Sequence, residues 1–178
     1  MTAPNAGEDI VSSDFRAWLP QKKIKAILTG RSSDTSFDAD PDLILTVPAA
    51  NADYSFLFTL YVSSAANAAG DMKAQIAWDI PTATGSCGCN TASTALASGF
   101  TPTEMVLGPT NRLDTSSPIG GMTWGCSTSG TLVLITGHLT VGDTVGDIWL
   151  EWAQNSSNAN ESRVLEGSTF ELWQTFMQ

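Results

Sequence analysis

The sequence predicts an all-β domain, a jelly-roll β-sandwich preceded by an extended N-terminal arm. Three observations lead to this prediction: short segments of alternating apolar and polar residues, turn residues between them, and no convincing amphipathic helix. The length of 178 residues fits one domain with an arm. We place the arm, a docking segment, at residues 1–23 and the sandwich at 24–178.

The arm has the composition of a segment that orders on binding. Residues 1–13 are mostly small and polar, and Asp14 can cap a short helical turn that ends before Pro20. Residues 1–33 carry five basic and three acidic groups, whereas the rest of the chain carries three basic and fifteen acidic groups. This asymmetry indicates an acidic docking partner, with a solvated strand or tail as the equal alternative. The docking candidates are Phe15, Arg16, Trp18, Lys22, Lys23 and Lys25.

The strands follow in order along the chain. The segment 54–62 alternates most clearly, with Tyr54, Phe56 and Phe58 on its apolar face. The segment 72–78 repeats the pattern, and we expect these two segments to pair as a hairpin. The full set of predicted strands is 24–28, 43–47, 54–62, 72–78, 104–107, 132–141, 147–154 and 169–176.

Two regions depart from simple alternation. Residues 82–130 are rich in Gly, Ser, Thr and Pro and are predicted to form a long irregular loop region, which in a compact domain is usually functional or interface-forming. The segment 132–141 is apolar on both faces, which suits a central or interface strand.

Charge and cysteine content exclude several classes of partner. A net charge of −10 argues against nucleic acid and anionic membrane, and no apolar run approaches the length of a membrane span. No signal peptide is recognisable, so we expect synthesis in the cytoplasm. Cys87 or Cys89 could form a disulfide with Cys126, but free thiols are favoured in a reducing compartment.

Catalytic motifs are not recognisable in the sequence. It has no nucleophile elbow and no phosphate-binding glycine loop. The single histidine, His138, lies on the strand face opposite Val133 and Ile135, where a structural role is favoured over a catalytic one. We therefore predict no enzymatic activity, no cofactor and no metal.

Two groups of carboxylates have spacings that suggest cation binding or catalysis. Asp34, Asp38, Asp40 and Asp42 lack the glycine and glutamate of a calcium loop and are interpreted as solvated loop charges, with a loosely held cation as the alternative. Glu151 and Glu171 could be neighbours in an antiparallel sheet, as in a glycosidase, with Trp149 and Trp173 as an aromatic platform. Packing of these two tryptophans against symmetry mates is the favoured alternative.

Several segments resemble a known family. Residues 146–159 read GDIWLEWAQNSSNA and residues 164–168 read VLEGS, after ANADY at 50–54, GDMK at 70–73 and WDIP at 78–81. They resemble small structural proteins of tailed bacteriophages, which serve as capsid decoration proteins or as tail and fibre modules. The resemblance covers 24–178 and is weakest over 85–129, where the two neighbouring cysteines and the insertion around 109–124 fall outside the pattern.

The resemblance implies a trimeric jelly roll similar to that of tumour necrosis factor. In such homotrimers, aromatic and aliphatic residues on exposed strand faces line a threefold axis. The implied function is a virion protein that docks on the major capsid protein or another virion protein and stabilises the outer shell. The alternative is a tail or fibre component that binds a host surface glycan. The trimer interface candidates are Leu132, Leu134, His138, Trp149 and Trp173.

Overall fold

The structure is a computed structural model that describes residues 19–65, 71–91 and 118–175. These ranges contain eleven strands and no helix, and therefore no helix that could cross a membrane. The strands are β1 Gln21–Ile24, β2 Thr29–Arg31, β3 Asp38–Thr46, β4 Ala52–Ser64, β5 Met72–Trp78, β6 Thr84–Thr91, β7 Ile119–Trp124, β8 Thr131–Val141, β9 Asp147–Gln154, β10 Ser162–Val164 and β11 Thr169–Thr175.

The strands form two antiparallel sheets. In sheet A, β4 pairs with β8 along one side and with β11 and β10, one after the other, along the other side. The outer neighbours are β6 beside β8, β1 beside β11 and β2 beside β10. Sheet B has the order β3-β9-β5-β7. The fold is a β-sandwich, so the predicted all-β class is confirmed.

The core lies between the two sheets. Alternate residues of β4, from Tyr54 to Val62, are buried on the inner side of sheet A, and Ile148, Leu150 and Trp152 of β9 are buried on the inner side of sheet B. The rings of Phe58 and Phe170 stack with their centroids 4.0 Å apart. The period of two that predicted these strands therefore also identified their buried faces correctly.

The predicted hairpin of 54–62 with 72–78 is wrong. Both segments are strands, but β4 belongs to sheet A and β5 to sheet B, where β5 pairs with β7 and β9. Both sides of β4 are occupied by β8, β10 and β11, which come from the C-terminal part of the chain. The connection between β4 and β5 therefore crosses from one sheet to the other.

The boundary of the arm also needs correction. β1 spans Gln21–Ile24 and pairs with β11, so residues 21–23 belong to the sandwich and the predicted strand at 24–28 is misplaced. β6 and β7 lie within the region predicted to be irregular. β6 was missed because its sequence, TGSCGCNT, has few strand-favouring residues. The predicted strand at 104–107 lies outside the described residues.

A glycine allows β6 to pack closely against β8. A Cβ atom at Gly137, in the middle of β8, would collide with the ring of Phe56 and with the backbone carbonyl oxygen of Ser86 in β6. Only glycine has no such atom, so the residue permits the close approach of these groups.

The three cysteines are buried and form no disulfide with one another. Cys87 and Cys89 lie in β6 and Cys126 follows β7, which answers the question that the sequence left open about a disulfide. Burial raises the pKa of Cys87 to about 12, with a further contribution from Cys89. Burial alone raises the pKa of Cys89 to about 11. Burial and the charge of Asp71 raise the pKa of Cys126 to about 12, and a side-chain hydrogen bond with Trp124 acts in the opposite direction, lowering it. Such thiols are poor nucleophiles at neutral pH.

Candidate self-association surface

The outer side of sheet A, called face A below, presents a continuous set of side chains from four strands. Residues that are directly opposite each other in an antiparallel sheet share a face, so the register places Leu57 beside Thr136, Thr59 beside Leu134 and Tyr61 beside Leu132. Face A comprises Lys22, Ile24, Ser55, Leu57, Thr59, Tyr61, Leu132, Leu134, Thr136, His138, Glu171 and Trp173.

The centre of face A is apolar and only partly covered. Leu57, Leu132 and Leu134 are half-buried and Tyr61 is 46% exposed, while Ile24, on the edge strand β1, is 60% exposed. Large apolar side chains that are contiguous on a surface indicate an interaction site rather than ordinary surface composition. This centre can therefore gain free energy by losing contact with water.

Polar pairs border this apolar centre. At one end, Nε2 of His138 lies 3.3 Å from Oδ1 of Asp53, which also accepts a 2.6 Å hydrogen bond from the hydroxyl of Thr140. At the edge formed by β1, the ammonium of Lys22 lies 2.7 Å from a carboxylate oxygen of Glu171. An apolar centre with a polar rim is the usual anatomy of a protein–protein interface.

Four of the five predicted interface residues lie together. Leu132, Leu134, His138 and Trp173 share face A, whereas Trp149 lies on the outer side of sheet B and cannot join them in one patch. Trp149 was placed with the others because alternation gives the face of a strand but not the sheet to which the strand belongs.

Three further large apolar members of face A were not among the predicted interface residues. Leu57 and Tyr61 come from β4, and Ile24 comes from β1. A signal for the first two was present, because the alternation of segment 54–62 already directs them away from the core. Ile24 carried no such signal, since its neighbour across the sheet, Thr169, is distant in sequence.

The outer side of sheet B, called face B below, has a different character. The indole nitrogen of Trp149 donates a 3.0 Å hydrogen bond to Glu151, whose other carboxylate oxygen accepts a hydrogen bond from the amide of Gln75. The ammonium of Lys73 lies 4.7 Å from the centroid of the Phe37 ring. The polar groups of face B thus find partners within the monomer.

Glu151 and Glu171 are not neighbours. β9 belongs to sheet B and β11 to sheet A, so the two carboxylates lie on opposite outer sides of the sandwich. The predicted carboxylate pair with its platform of Trp149 and Trp173 is therefore not assembled in this fold.

The basic docking candidates differ in their exposure to solvent. Lys22 and Lys23 are exposed on β1, but Lys25 is 1% exposed and its ammonium binds Asp40 at 2.8 Å. Lys25 is therefore wrongly assigned to a docking surface. Phe15, Arg16 and Trp18 lie outside the described residues.

The interpretation of Asp40 as a solvated loop charge is also wrong. This residue is 0% exposed and accepts hydrogen bonds from Lys25 and from the indole of Trp152. Arg31, another member of the basic N-terminal segment, stacks over the ring of Trp152 at 4.3 Å. Two of the basic side chains near the N-terminus, Lys25 and Arg31, thus bind groups inside the domain.

The described ranges hold no group of three or more His, Cys, Asp or Glu side chains that could bind a metal ion. The chain matches no protein-family model, no curated protein and no solved structure. The geometry of face A is accordingly the main guide to function.

Proposed function

We propose that this chain is a bacteriophage virion protein, a capsid decoration protein that forms homotrimers and docks on the outer shell. The observation that carries the proposal is the apolar centre of face A, formed by Leu57, Tyr61, Leu132 and Leu134 on two central strands. In the monomer these side chains stay in partial contact with water.

The strand order supports a jelly roll of the tumour-necrosis-factor kind. β1 and β2 can be counted as one strand, β10 and β11 as another, and β6 as an addition at the edge. The eight strands that result, renumbered 1 to 8 in chain order, have the order 1-8-3-6 in sheet A and 2-7-4-5 in sheet B. This is the order expected of an eight-stranded jelly roll made of two Greek keys. In trimers of this type, aromatic and aliphatic residues on exposed strand faces line a threefold axis, as those of face A would.

A second copy of the chain is the occupant that best fits face A. The rim of the face carries both a basic group, Lys22, and acidic groups, Asp53 and Glu171, so copies arranged around an axis can present opposite charges to one another. Many weak contacts of such trimers, repeated over a lattice, would add up to a stabilised shell.

The docking contact is assigned to the chain before and at the start of β1. Lys22 and Lys23 are exposed there, and Leu19 is 64% exposed just before the strand. Removing residues 1–18 is expected to abolish binding to the particle and to leave the trimer intact. Loss of the trimer in this truncated protein would contradict the separation of the two roles.

The first test is the mass of the purified chain in solution, by light scattering or sedimentation. A trimer is expected at micromolar concentration, and a monomer at high concentration would refute the role of face A.

The second test is labelled electron microscopy of the virion, with an antibody against this chain. Label over the shell is expected. Label confined to the tail would overturn capsid decoration in favour of a tail or fibre component, for which glycan-array binding would then be the next measurement.

A further inference from the structure

The interior of the sandwich contains a lysine whose surroundings suggest covalent chemistry. The side chain of Lys25 is 0% exposed, and so is that of Asp40, whose Oδ1 lies 2.8 Å from the lysine Nζ. A second carboxylate, Asp42, lies 3.3 Å from the same nitrogen and is 32% exposed. The hydroxyl of Thr29 accepts a further 2.7 Å hydrogen bond from the lysine.

Backbone contacts hold the reacting groups in place. The amide of Lys25 donates to the carbonyl of Ser168, and the carbonyl of Lys25 accepts from the amide of Gly167. Asp40 lies in β3, where Pro41 interrupts the regular pairing with β9 between Ala39 and Ile44. Lys25 follows β1 of sheet A and Asp40 belongs to sheet B, so the pair connects the two layers.

Two donors point at the carboxylate of Asp40. The indole nitrogen of Trp152 donates to Oδ2 at 3.2 Å, and the backbone amide of Asp42 donates to Oδ1 at 3.1 Å. Fixed donors in a water-excluding site stabilise negative charge that develops on oxygen during attack at a carbonyl carbon. The pair thus has a nucleophile, an electrophile, donors for an oxyanion and a nearby carboxylate that can carry a proton.

We propose that Lys25 and Asp40 become joined by an intramolecular isopeptide bond, with Asp42 relaying the proton. An ion pair removed from water is costly, and passing one proton from the ammonium to Asp40 leaves a neutral amine beside a neutral carboxylic acid. The fold holds these two groups at contact distance, which gives an intramolecular reaction a large advantage over the reaction between free molecules.

The atoms balance without an oxidant or a cofactor. The amine nitrogen attacks Cγ of Asp40, so a C–N bond forms and the carbonyl electron pair moves onto oxygen. A second proton then leaves the nitrogen for the Asp42 carboxylate and passes from there to the hydroxyl group on Cγ. The C–O bond breaks, one water leaves, and the amide keeps the last of the three ammonium protons.

The bond would have a mechanical use at this position. β1 is only four residues long and lies at the edge of sheet A. It is also the first strand of the described residues, so tension applied to Leu19 and Pro20 would reach the domain through β1. A covalent link at Lys25 would transfer that tension to β3 in the other sheet. The bond itself is independent of the proposed virion role and can be tested separately from it.

The first measurement is the intact mass of the full-length chain after denaturation. We expect a mass lower than that of the sequence by one water molecule, and trypsin should yield a branched peptide that joins residues 24–31 to residues 32–73. A protein that keeps the full sequence mass after prolonged incubation in the folded state would refute the proposal. A mass loss without the branched peptide would also refute it, because cyclisation of an aspartate elsewhere removes one water too.

Variants assign the roles of the residues. Lys25→Arg keeps the positive charge but removes the nucleophile, and it should retain the full sequence mass. Asp42→Asn should slow bond formation at least tenfold in a folded protein, whereas the exposed Asp38→Asn serves as the matched control and should form the bond at the wild-type rate. An unchanged rate in Asp42→Asn would refute the relay, and circular dichroism checks that each variant is folded.

Discussion

The two outer faces of the sandwich are built from the same kind of strand and differ in where their apolar side chains and their polar pairs lie. On face B, Glu151 accepts hydrogen bonds from both Gln75 and Trp149. On face A, Leu57 and Leu134 lie in the middle of the sheet, and the polar pairs of Lys22 with Glu171 and of His138 with Asp53 lie at its rim. The difference favours face A over face B as the side that would be buried in the proposed trimer.

The largest expected effect tests this contrast directly. Leu134→Asp would place a carboxylate in the centre of face A, and an unpaired ion in an interface costs several kcal/mol. Three such carboxylates would meet in the proposed trimer, so we expect only monomer at the micromolar concentrations at which a wild-type trimer is expected, as measured by sedimentation velocity. The matched control is Ile44→Asp, an equivalent change on face B, which should leave the trimer intact. Equal loss of the trimer in both variants would contradict the assignment of face A.

The second effect concerns the connection between the layers that carry the two faces. Lys25→Met removes the partner of the buried Asp40; compared with wild-type protein of full sequence mass, in which the two side chains form an ion pair, it is expected to lower the free energy of unfolding by about 3–5 kcal/mol. Urea denaturation measures this loss. Lys23→Met, at an exposed position on β1, is the control and should change stability by less than about 0.5 kcal/mol. Similar stabilities of the two variants would show that the buried pair contributes little.

A smaller effect is expected on face B. Glu151→Ala removes the acceptor for Trp149 and Gln75, which should cost about 1–2 kcal/mol of folding stability and leave the trimer mass unchanged. Thermal denaturation and light scattering on the same sample give both values. A change in oligomeric state would mean that face B also takes part in assembly.

The smallest effect at neutral pH involves the side of the sandwich where β6 and β7 lie. The pKa values of Cys87 and Cys126 are each raised by burial to about 12 from 9.0, so the folded state favours the protonated thiols. Their contribution to stability is fully present below pH 9 and is lost as the pH rises from there towards 12, by about 1.4 kcal/mol per thiol per pH unit. Urea denaturation from pH 8 to about 10 should show this decline. Cys126→Ala should make the decline shallower, and an unchanged slope would count against the thiols as its cause.

The sequence predicted the strands better than their partners. Alternation located 72–78 and 147–154 with the bounds seen in the structure and identified the buried faces of both. It did not predict which sheet each strand joins, because the period of two depends only on having one buried face. The wrong hairpin between 54–62 and 72–78 and the misplaced Trp149 have this common cause.

The buried lysine was missed for a different reason. Lys25 follows an edge strand, and lysine is a residue type that is almost never fully buried unless it is paired, so the sequence alone indicates exposure. Its burial depends on Asp40, which faces inward because the strand is irregular around Pro41, a residue that cannot donate a ladder hydrogen bond. The proline was the one available sign that alternation would fail there.

The glycine in the middle of β8 restricts how this sequence can vary. A smaller residue at position 56 would free space on one side of Gly137, but the carbonyl oxygen of Ser86 belongs to the backbone and would still obstruct any side chain. A random library at position 137 should therefore return glycine alone, even when position 56 is randomised with it. Homologues that carry another residue there would be expected to lack β6 or to hold it at a different distance.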